Sequence, residues 1–161
     1  MSDESANDQA GSIRLKIEGD RLALIASTVA GPGQPTCGSI SGIRHVLAQG
    51  RLTEASLESA ITQVEDLIMP IIRTLPASTK LKVSGVELEK VFRLLSVTDS
   101  AAVPIESVES LFNQLADYTG GSPVAWRQDS SPVNVALGLV VLREVMHHGA
   151  FRSVSLVPPT E

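Results

Sequence analysis

Apolar and polar residues alternate in two neighbouring segments near the start of the chain. The alternation covers residues 13–17 and resumes over residues 22–26, with the dipeptide Gly19-Asp20 between the two segments. A period of two is typical of a half-buried strand, and a two-residue Gly-Asp loop is typical of a hairpin turn. The pattern therefore predicts an antiparallel β-hairpin whose register places Glu18 opposite Arg21, Ile17 opposite Leu22, Leu15 opposite Leu24 and Ile13 opposite Ala26.

Helical spacing dominates the middle of the chain. Thr53 is a good N-cap for a helix whose apolar residues recur every three or four positions. Pro70 interrupts this helix, which predicts either a kink or two abutting helices. The apolar stripe has a heptad-like spacing that would also suit a partner helix, and it consists of Leu57, Ile61, Val64, Ile68, Ile71 and Leu75.

Shorter elements follow this helix. Residues 80–83 alternate between Lys and apolar side chains, which predicts a short strand. Ser84 and Glu87 have the spacing of a capping box, so a second helix is predicted to begin there. A third helix is predicted from Pro104, which suits the first turn, to a C-cap at Gly120.

The most apolar part of the chain is a predicted fourth helix over residues 133–148. A helix that is apolar on every side must be buried in the core or covered by a partner. Gly138 near its middle predicts the close approach of another backbone, either in the core or at a subunit interface. A last strand is predicted over residues 151–157. On the predicted fourth helix, the few candidates for contact with water are Asn134, Arg143, Glu144 and His147.

These elements predict an α+β domain. Its sheet is expected to be small, mixed or antiparallel, and built from the N-terminal hairpin, one central strand and the C-terminal strand, with about four helices packed on it. The expected organisation is a disordered tail over residues 1–11, a single domain over residues 12–158 and a frayed end over residues 159–161.

A glycine- and proline-rich segment separates the hairpin from the helices. Residues 30–42 contain four Gly and two Pro, which predicts a loop with little regular structure. Such a turn can bind phosphate through backbone N–H groups, so Gly38, Ser39 and Ser41 are candidate ligand-binding residues. The phosphate-binding pattern G-x-x-x-x-G-K-[ST] is missing, and the simpler interpretation is a flexible connector.

The charge and composition of the chain limit the classes of partner that it is expected to bind. The net charge is −5, the 13 basic residues include no run of three, and aromatic residues make up 3% of the chain. Nucleic-acid binding requires clustered basic residues, so we expect no nucleic-acid partner. The longest apolar stretch, residues 135–142, is far shorter than a membrane span, and no signal peptide precedes it, so we expect no membrane partner and a cytoplasmic location.

Few residues in the chain are suited to chemistry. Cys37 and His45 are candidates for a nucleophile and its base, although such a pair often occurs by chance. The potential soft metal ligands also include His147 and His148, but adjacent residues on a helix point about 100° apart. We therefore expect no metal and no cofactor. The single tryptophan, Trp126, is either an interface anchor or a plug between the third and fourth helices.

Residues 42–51, with the sequence GIRHVLAQGR, follow the predicted hairpin. This segment resembles one near the start of the nickel–iron hydrogenase large subunits and their accessory relatives. The paired metal-binding cysteines of that family are absent here, so the resemblance implies no site. It adds one possible role, that of an accessory factor for a metalloenzyme.

Two classes of function remain. The first is a non-catalytic interaction, assembly or accessory protein that associates with itself or with a protein partner through its apolar helices. The second is a small enzyme or ligand-binding domain that uses the loop over residues 30–42 with Cys37 and His45. The scarcity of chemistry-bearing residues favours the first class, so the sequence predicts a homo-oligomer more readily than an enzyme.

Overall fold

A single mixed sheet runs through the part of the chain that the computed structural model describes, which is residues 11–28, 31–78, 80–95 and 102–157. The described strands are β1 (Ser12–Glu18), β2 (Arg21–Thr28), β3 (Gly31–Pro32), β4 (Thr36–Ser39), β5 (Lys80–Ser84), β6 (Val103–Pro104) and β7 (Ser153–Leu156). Their order in the sheet is β3-β2-β1-β5-β7-β6, and β4 pairs with β2 beside β3. β1 is antiparallel to β2 and parallel to β5, and β5 is in turn parallel to β7.

The helices lie between the later strands, singly or in pairs. A 3₁₀ turn over Pro123–Ala125 precedes the last helix. None of the helices in the described ranges is long and apolar enough to cross a membrane. These helices are α1 (Ser41–Leu47), α2 (Glu54–Ile72), α3 (Val86–Leu94), α4 (Ile105–Thr119) and α5 (Pro132–His148).

The predicted hairpin is confirmed in its register. Strands β1 and β2 pair so that Glu18 lies opposite Arg21 and Leu15 lies opposite Leu24. The apolar side chains of β1 are buried, whereas Glu18 is exposed. The period of two therefore fixed both the pairing and the buried face.

The coarse α+β prediction is confirmed, but the finer description is incomplete, because the structure has more strands and helices than it gave. Residues 30–42, predicted to be an irregular loop, include the strands β3 and β4, and β6 was not predicted at all. The described helices also number five where about four were expected. These extra strands are only two to four residues long, and they form because β2 and β7 offer free backbone groups at their edges.

Helix boundaries follow the caps in one case and depart from them in another. Thr53 Oγ1 accepts the Ser56 N–H at 3.1 Å, and Ser56 Oγ accepts the Thr53 N–H at 2.9 Å, which completes a capping box. Pro70 lies within a single continuous helix. The capping box predicted at Ser84 is absent, because Gly85 is the N-cap of α3 and no side chain caps this helix.

Helix α5 lies at the centre of the core, as predicted. Most of its side chains are buried within the chain, and the exposed positions include Asn134 and His147. The prediction for Glu144 is wrong, because this residue is fully buried. Of the predicted stripe, Leu57, Val64, Ile68 and Ile71 are buried in the same core, whereas Ile61 and Leu75 are only partly buried against it.

Some of the predictions concern residues outside the described ranges. Of the expected tail over residues 1–11, residues 1–10 lie outside these ranges. The N–H of Gly11 donates to the Ser27 carbonyl at 3.0 Å. The expected frayed end, residues 159–161, also lies outside these ranges, as does residue 158. The division into tail, domain and frayed end therefore stays a prediction.

Gly138 brings α5 against the start of α3. A Cβ at this position would overlap the carbonyl oxygen of Glu87 and approach a methyl group of Val91 to 3.1 Å. The position is fully enclosed, so only a hydrogen fits between the two helices. The packing of α3 on α5 therefore depends on a glycine.

We expect Gly138→Ala to lower the free energy of unfolding by about 1–3 kcal/mol, because the methyl group would overpack the contact with Glu87. Chemical denaturation measures this change. Gly42→Ala is the matched control, because Gly42 lies in α1, is exposed, and would meet only the end of the Gln63 side chain at 3.1 Å. The control is expected to be neutral or slightly stabilising. A stabilising Gly138→Ala would contradict this packing.

We expect Leu15→Asp to lower the free energy of unfolding by at least about 3 kcal/mol, because Leu15 is completely buried and the new carboxylate would have no partner. Lys82→Asp, on the exposed face of the neighbouring strand β5, is the control and should have a much smaller effect. Thermal melting distinguishes the two variants. Equal melting temperatures would show that the inner face of β1 is misassigned.

Candidate functional site

A cleft in the described part of the chain opens where β1 and β5 end and α3 begins. Its volume is about 760 Å³. Because β1 and β5 are parallel, their carboxyl ends meet at the same edge of the sheet, which is where open α/β sheets commonly bind ligands. The cleft is lined by Arg14, Lys16, Ile17, Glu18, Gly19, Asp20, Arg44, Ser84, Gly85, Val86, Glu87 and Glu89.

Gly85 forms the junction between β5 and α3. Its φ of +122° lies in a region that L side chains rarely adopt, and a Cβ here would overlap the carbonyl oxygen of Ile17. The first turn of α3 therefore sits directly against the end of β1. The free N–H groups of this turn lie at the cleft, where a helix begins with a partial positive charge.

Arg44 connects three elements around the cleft. From α1, its Nε donates to Asp20 Oδ1 at 2.9 Å, its Nη1 donates to Glu87 Oε1 at 3.2 Å, and its Nη2 donates to the Gly19 carbonyl at 2.7 Å. Burial acts to lower the pKa of Arg44, but its hydrogen bonds and charge interactions with Glu87 and Asp20 raise it overall. The guanidinium therefore holds the hairpin turn, α1 and α3 together.

Two polar atoms in the cleft lack partners. Arg14 Nε and Ser84 Oγ are buried and make no hydrogen bond within the described chain. Both residues line the cleft, on the neighbouring strands β1 and β5. A buried donor without a partner is costly, so these atoms favour a ligand that accepts hydrogen bonds.

The cleft combines charges of both signs. Lys16 Nζ lies 2.9 Å from Glu18 Oε1, and Lys90 Nζ lies 3.6 Å from Glu87 Oε2. Among the lining residues, three are basic and four are acidic. An anion entering the cleft can therefore be bound by the basic groups, but it also meets carboxylates that a divalent cation could neutralise.

The proposed nucleophile and base lie outside this cleft. Cys37 is exposed on β4, opposite Ala23 of β2. His45 is exposed on α1, and its Nε2 lies 2.7 Å from Gln49 Nε2. No hydrogen bond among the described residues joins Cys37 to His45, and their catalytic pairing stays a prediction.

The candidate ligand-binding residues lie along β4 and at the start of α1. The Ser39 and Ser41 hydroxyls are 3.0 Å apart, and both residues are exposed. Gly38 is half-buried, with Leu67 of α2 so close that a side chain at this position would displace it. Ligand binding by these three residues stays a prediction.

The two interface candidates contact their own chain. Trp126 is partly buried against the core, and its Nε1 donates to the Ser130 carbonyl at 2.7 Å. Gly138 is buried against α3, as described above. A role for either residue in binding a protein partner or a second copy stays a prediction, as does the cytoplasmic location.

Sequence reasoning missed the residues that line the cleft. Arg14 and Lys16 were treated only as the polar face of the hairpin, and Arg44 lies 25 positions along the chain from Gly19. One usable signal was the dipeptide Ser84-Gly85 between a strand and a helix. That is a frequent position for anion-binding turns, but the serine was assigned to a cap instead.

The mixed sheet, with its antiparallel hairpin and parallel later strands, places the chain in a fold that is shared with phosphatases of the Ppx/GppA group. No family model matches the chain, and no curated protein matches it. The chain is similar to the solved Ppx/GppA enzyme of Aquifex aeolicus, with a TM-score of 0.67 and 6% identity over 94% of this chain and 55% of that one.

Two further solved structures are similar to the chain in fold. An exopolyphosphatase-like protein has a TM-score of 0.70 and 14% identity over 93% of this chain and 55% of its own. An exopolyphosphatase of Cytophaga hutchinsonii has a TM-score of 0.68 and 11% identity over 92% of this chain and 53% of its own. At these identities the likeness establishes the fold alone, and the chain spans about half the length of these structures.

The prediction of a non-catalytic interaction, assembly or accessory protein is wrong. The chain shares its fold with solved Ppx/GppA and exopolyphosphatase enzymes, and this likeness overturns the prediction. The apolar helices that suggested self-association through α2 and α5 are instead buried within the chain's own core. The short resemblance to hydrogenase subunits likewise has no counterpart among these structures.

We expect Arg44→Lys to lower the free energy of unfolding by about 1 kcal/mol and the melting temperature by about 3 °C. A lysine keeps the positive charge, but its compact ammonium lacks the planar fork that donates to Asp20, Glu87 and Gly19. The effect is modest because the Arg44 side chain is 37% exposed. Differential scanning calorimetry measures it, with the exposed Arg51→Lys as the control. Equal melting temperatures for both variants would contradict the connecting role of Arg44.

Proposed function

We propose that the chain is the phosphate-binding domain of a phosphatase that acts on chains of linked phosphates. The observation that carries this proposal is the pair of unpartnered buried atoms, Arg14 Nε and Ser84 Oγ, in a cleft that also contains Lys16 and the start of α3. Phosphate oxygens are strong acceptors, and they would satisfy both atoms. The similar fold of solved exopolyphosphatases supports the same substrate class.

The basic residues have separable roles in this proposal. Arg14 and Lys16 lie two positions apart on β1, so both side chains project from the same face of the sheet. They would bind successive phosphate groups or two oxygens of one group. The N–H groups at the start of α3 would bind a further oxygen, which the helix dipole favours.

The carboxylates of the cleft would take part in the chemistry. Phosphoryl transfer depends on the positioning of a water nucleophile and on neutralising charge that the phosphate oxygens carry. Glu18 and Asp20 flank the hairpin turn and Glu89 lies across the cleft on α3. They would orient a water molecule, or hold a divalent cation such as Mg²⁺ between protein and phosphate.

Glu87 has a different role because it is already paired. Its side chain is 15% exposed and it accepts a hydrogen bond from Arg44. This pair would position the first turn of α3 rather than contact the substrate. The proposal therefore assigns substrate binding to Arg14, Lys16 and Ser84, and it assigns a positioning role to Arg44 and Glu87.

We expect the chain to bind tripolyphosphate in the presence of Mg²⁺, and Arg14→Gln and Lys16→Gln each to weaken binding about tenfold, the loss of one charge-assisted hydrogen bond. Isothermal titration calorimetry measures the affinity. Release of inorganic phosphate from tripolyphosphate is the second measurement, made on the same protein. Binding is the primary measurement because the similar solved chains are nearly twice as long.

Arg73→Gln is the matched control, because it removes the same charge from an exposed position at the end of α2, away from the residues that line the cleft. Ser84→Ala tests the hydroxyl without any change of charge and should also weaken binding. The proposal is overturned if the unaltered chain fails to bind tripolyphosphate at millimolar concentration. It is equally overturned if the Arg14 and Lys16 variants bind no more weakly than the Arg73 control.

A further inference from the structure

Three metal-ligating side chains converge at a second place, on α2 and α5. Glu65, Glu144 and His148 each offer one ligand atom, and these atoms lie within 4.8 Å of one another. Glu144 and His148 are four positions apart on α5, so they share one face of the helix. Glu65 reaches the same point from α2, which packs against α5.

The distances suit a small cation. His148 Nε2 lies 3.1 Å from Glu144 Oε2 and 3.5 Å from Glu65 Oε1. Zinc bonds to nitrogen and oxygen of about 2.1 Å place neighbouring ligand atoms of a tetrahedron about 3.4 Å apart. The two histidine–carboxylate distances bracket that edge, and the two carboxylates lie within 4.8 Å of each other, so the three atoms are close enough to surround one cation.

A single hydrogen bond from His148 cannot serve both carboxylates of this cluster. His148 Nε2 carries at most one proton, so it can donate one hydrogen bond, yet two carboxylates face it. The second carboxylate then faces the first in a partly enclosed site, where like charges repel more strongly than in water. A divalent cation would attract both carboxylates and the nitrogen at once.

The surroundings also hold the ligands in place. Glu144 is completely buried, and its other oxygen, Oε1, accepts a hydrogen bond from Arg143 Nη1 at 2.7 Å. Arg143 is itself held over the Phe112 ring, with its Cζ 4.8 Å from the ring centroid. Such outer contacts fix the orientation of a ligating carboxylate. His148 and Glu65 are more open, with side chains 24% and 42% exposed, which leaves a path for the cation.

We propose that Glu65, Glu144 and His148 form a binding site for a divalent transition-metal cation of the zinc type, with a fourth position open to water. One imidazole nitrogen with two carboxylate oxygens suits zinc or cobalt better than magnesium or calcium, which prefer oxygen ligands alone. The bound cation would link α2 to α5. The expectation of no metal from the sequence is revised on this point.

This site is separate from the phosphate cleft. His148 lies ten residues beyond Gly138 on α5, which is about 15 Å along the helix axis. Gly138 is the position that touches the first turn of α3 at the cleft. Failure of the metal site would therefore leave the proposed phosphate binding untouched, and the reverse also holds.

The test is a titration of the chain with Zn²⁺ in a buffer that does not bind metal, followed by calorimetry. We expect one equivalent of zinc per chain, with His148→Gln and Glu65→Gln each weakening binding at least tenfold. His45→Gln and Glu58→Gln are the matched controls, because both residues are exposed and lie outside the cluster. Both controls should bind zinc like the unaltered chain, and Mg²⁺ should not compete.

A spectroscopic measurement distinguishes a coordination site from loose surface binding. Co²⁺ bound in place of zinc should give the strong visible absorption of a four-coordinate ion, and this band should disappear in Glu65→Gln. Glu65→Gln replaces a half-exposed side chain, so circular dichroism should show that it still folds. The proposal is overturned if the chain shows no saturable zinc binding. It is also overturned if the cluster variants bind zinc as tightly as the controls.

Discussion

The contact between α5 and the first turn of α3 determines where the other parts of this structure lie. At Gly138 the two backbones approach so closely that no side chain fits, and this fixes α3 against the core. Gly85 at the other side of the same turn brings α3 against the Ile17 carbonyl at the end of β1. The cleft between β1, β5 and α3 exists because two glycines, one on each side, allow these approaches.

The charges of the cleft are arranged around that turn. Arg44 donates to the hairpin turn and to Glu87, so the most acidic part of α3 is already partly neutralised by the protein. Lys16 is similarly close to Glu18, but Arg14 Nε has no partner within the described chain. The basic groups therefore differ in how many of their hydrogen-bond donors already have protein partners. This difference separates the residues that hold the site together from those available to a ligand.

Elements formed by local patterns were predicted well, and elements formed at sheet edges were not. The alternation over residues 13–26 specified a hairpin in the correct register. Strands β3, β4 and β6 contain Gly, Pro and single apolar residues, and no local pattern marks them. They pair because a neighbouring strand presents unpaired backbone groups, and that condition exists only after the sheet has formed.

The function was misjudged for a related reason. Residue types that can act as nucleophile and base pointed to Cys37 and His45, which lie outside the cleft. The cleft instead gathers Arg14, Arg44 and Ser84 from three separate segments, each ordinary in its own surroundings. The apolar helices predicted self-association, although this chain buries them in its own core.

The sequence by itself determined the hairpin register, the Thr53 cap and the burial of α5, because each depends on neighbours in the chain or on one helical face. Only the tertiary structure decided that Glu144 is buried beside His148 and Glu65, and that Arg44 connects the hairpin turn to α3. These contacts join residues far apart in the chain. Their formation depends on the packing of whole helices and strands, which spacing along the sequence does not encode.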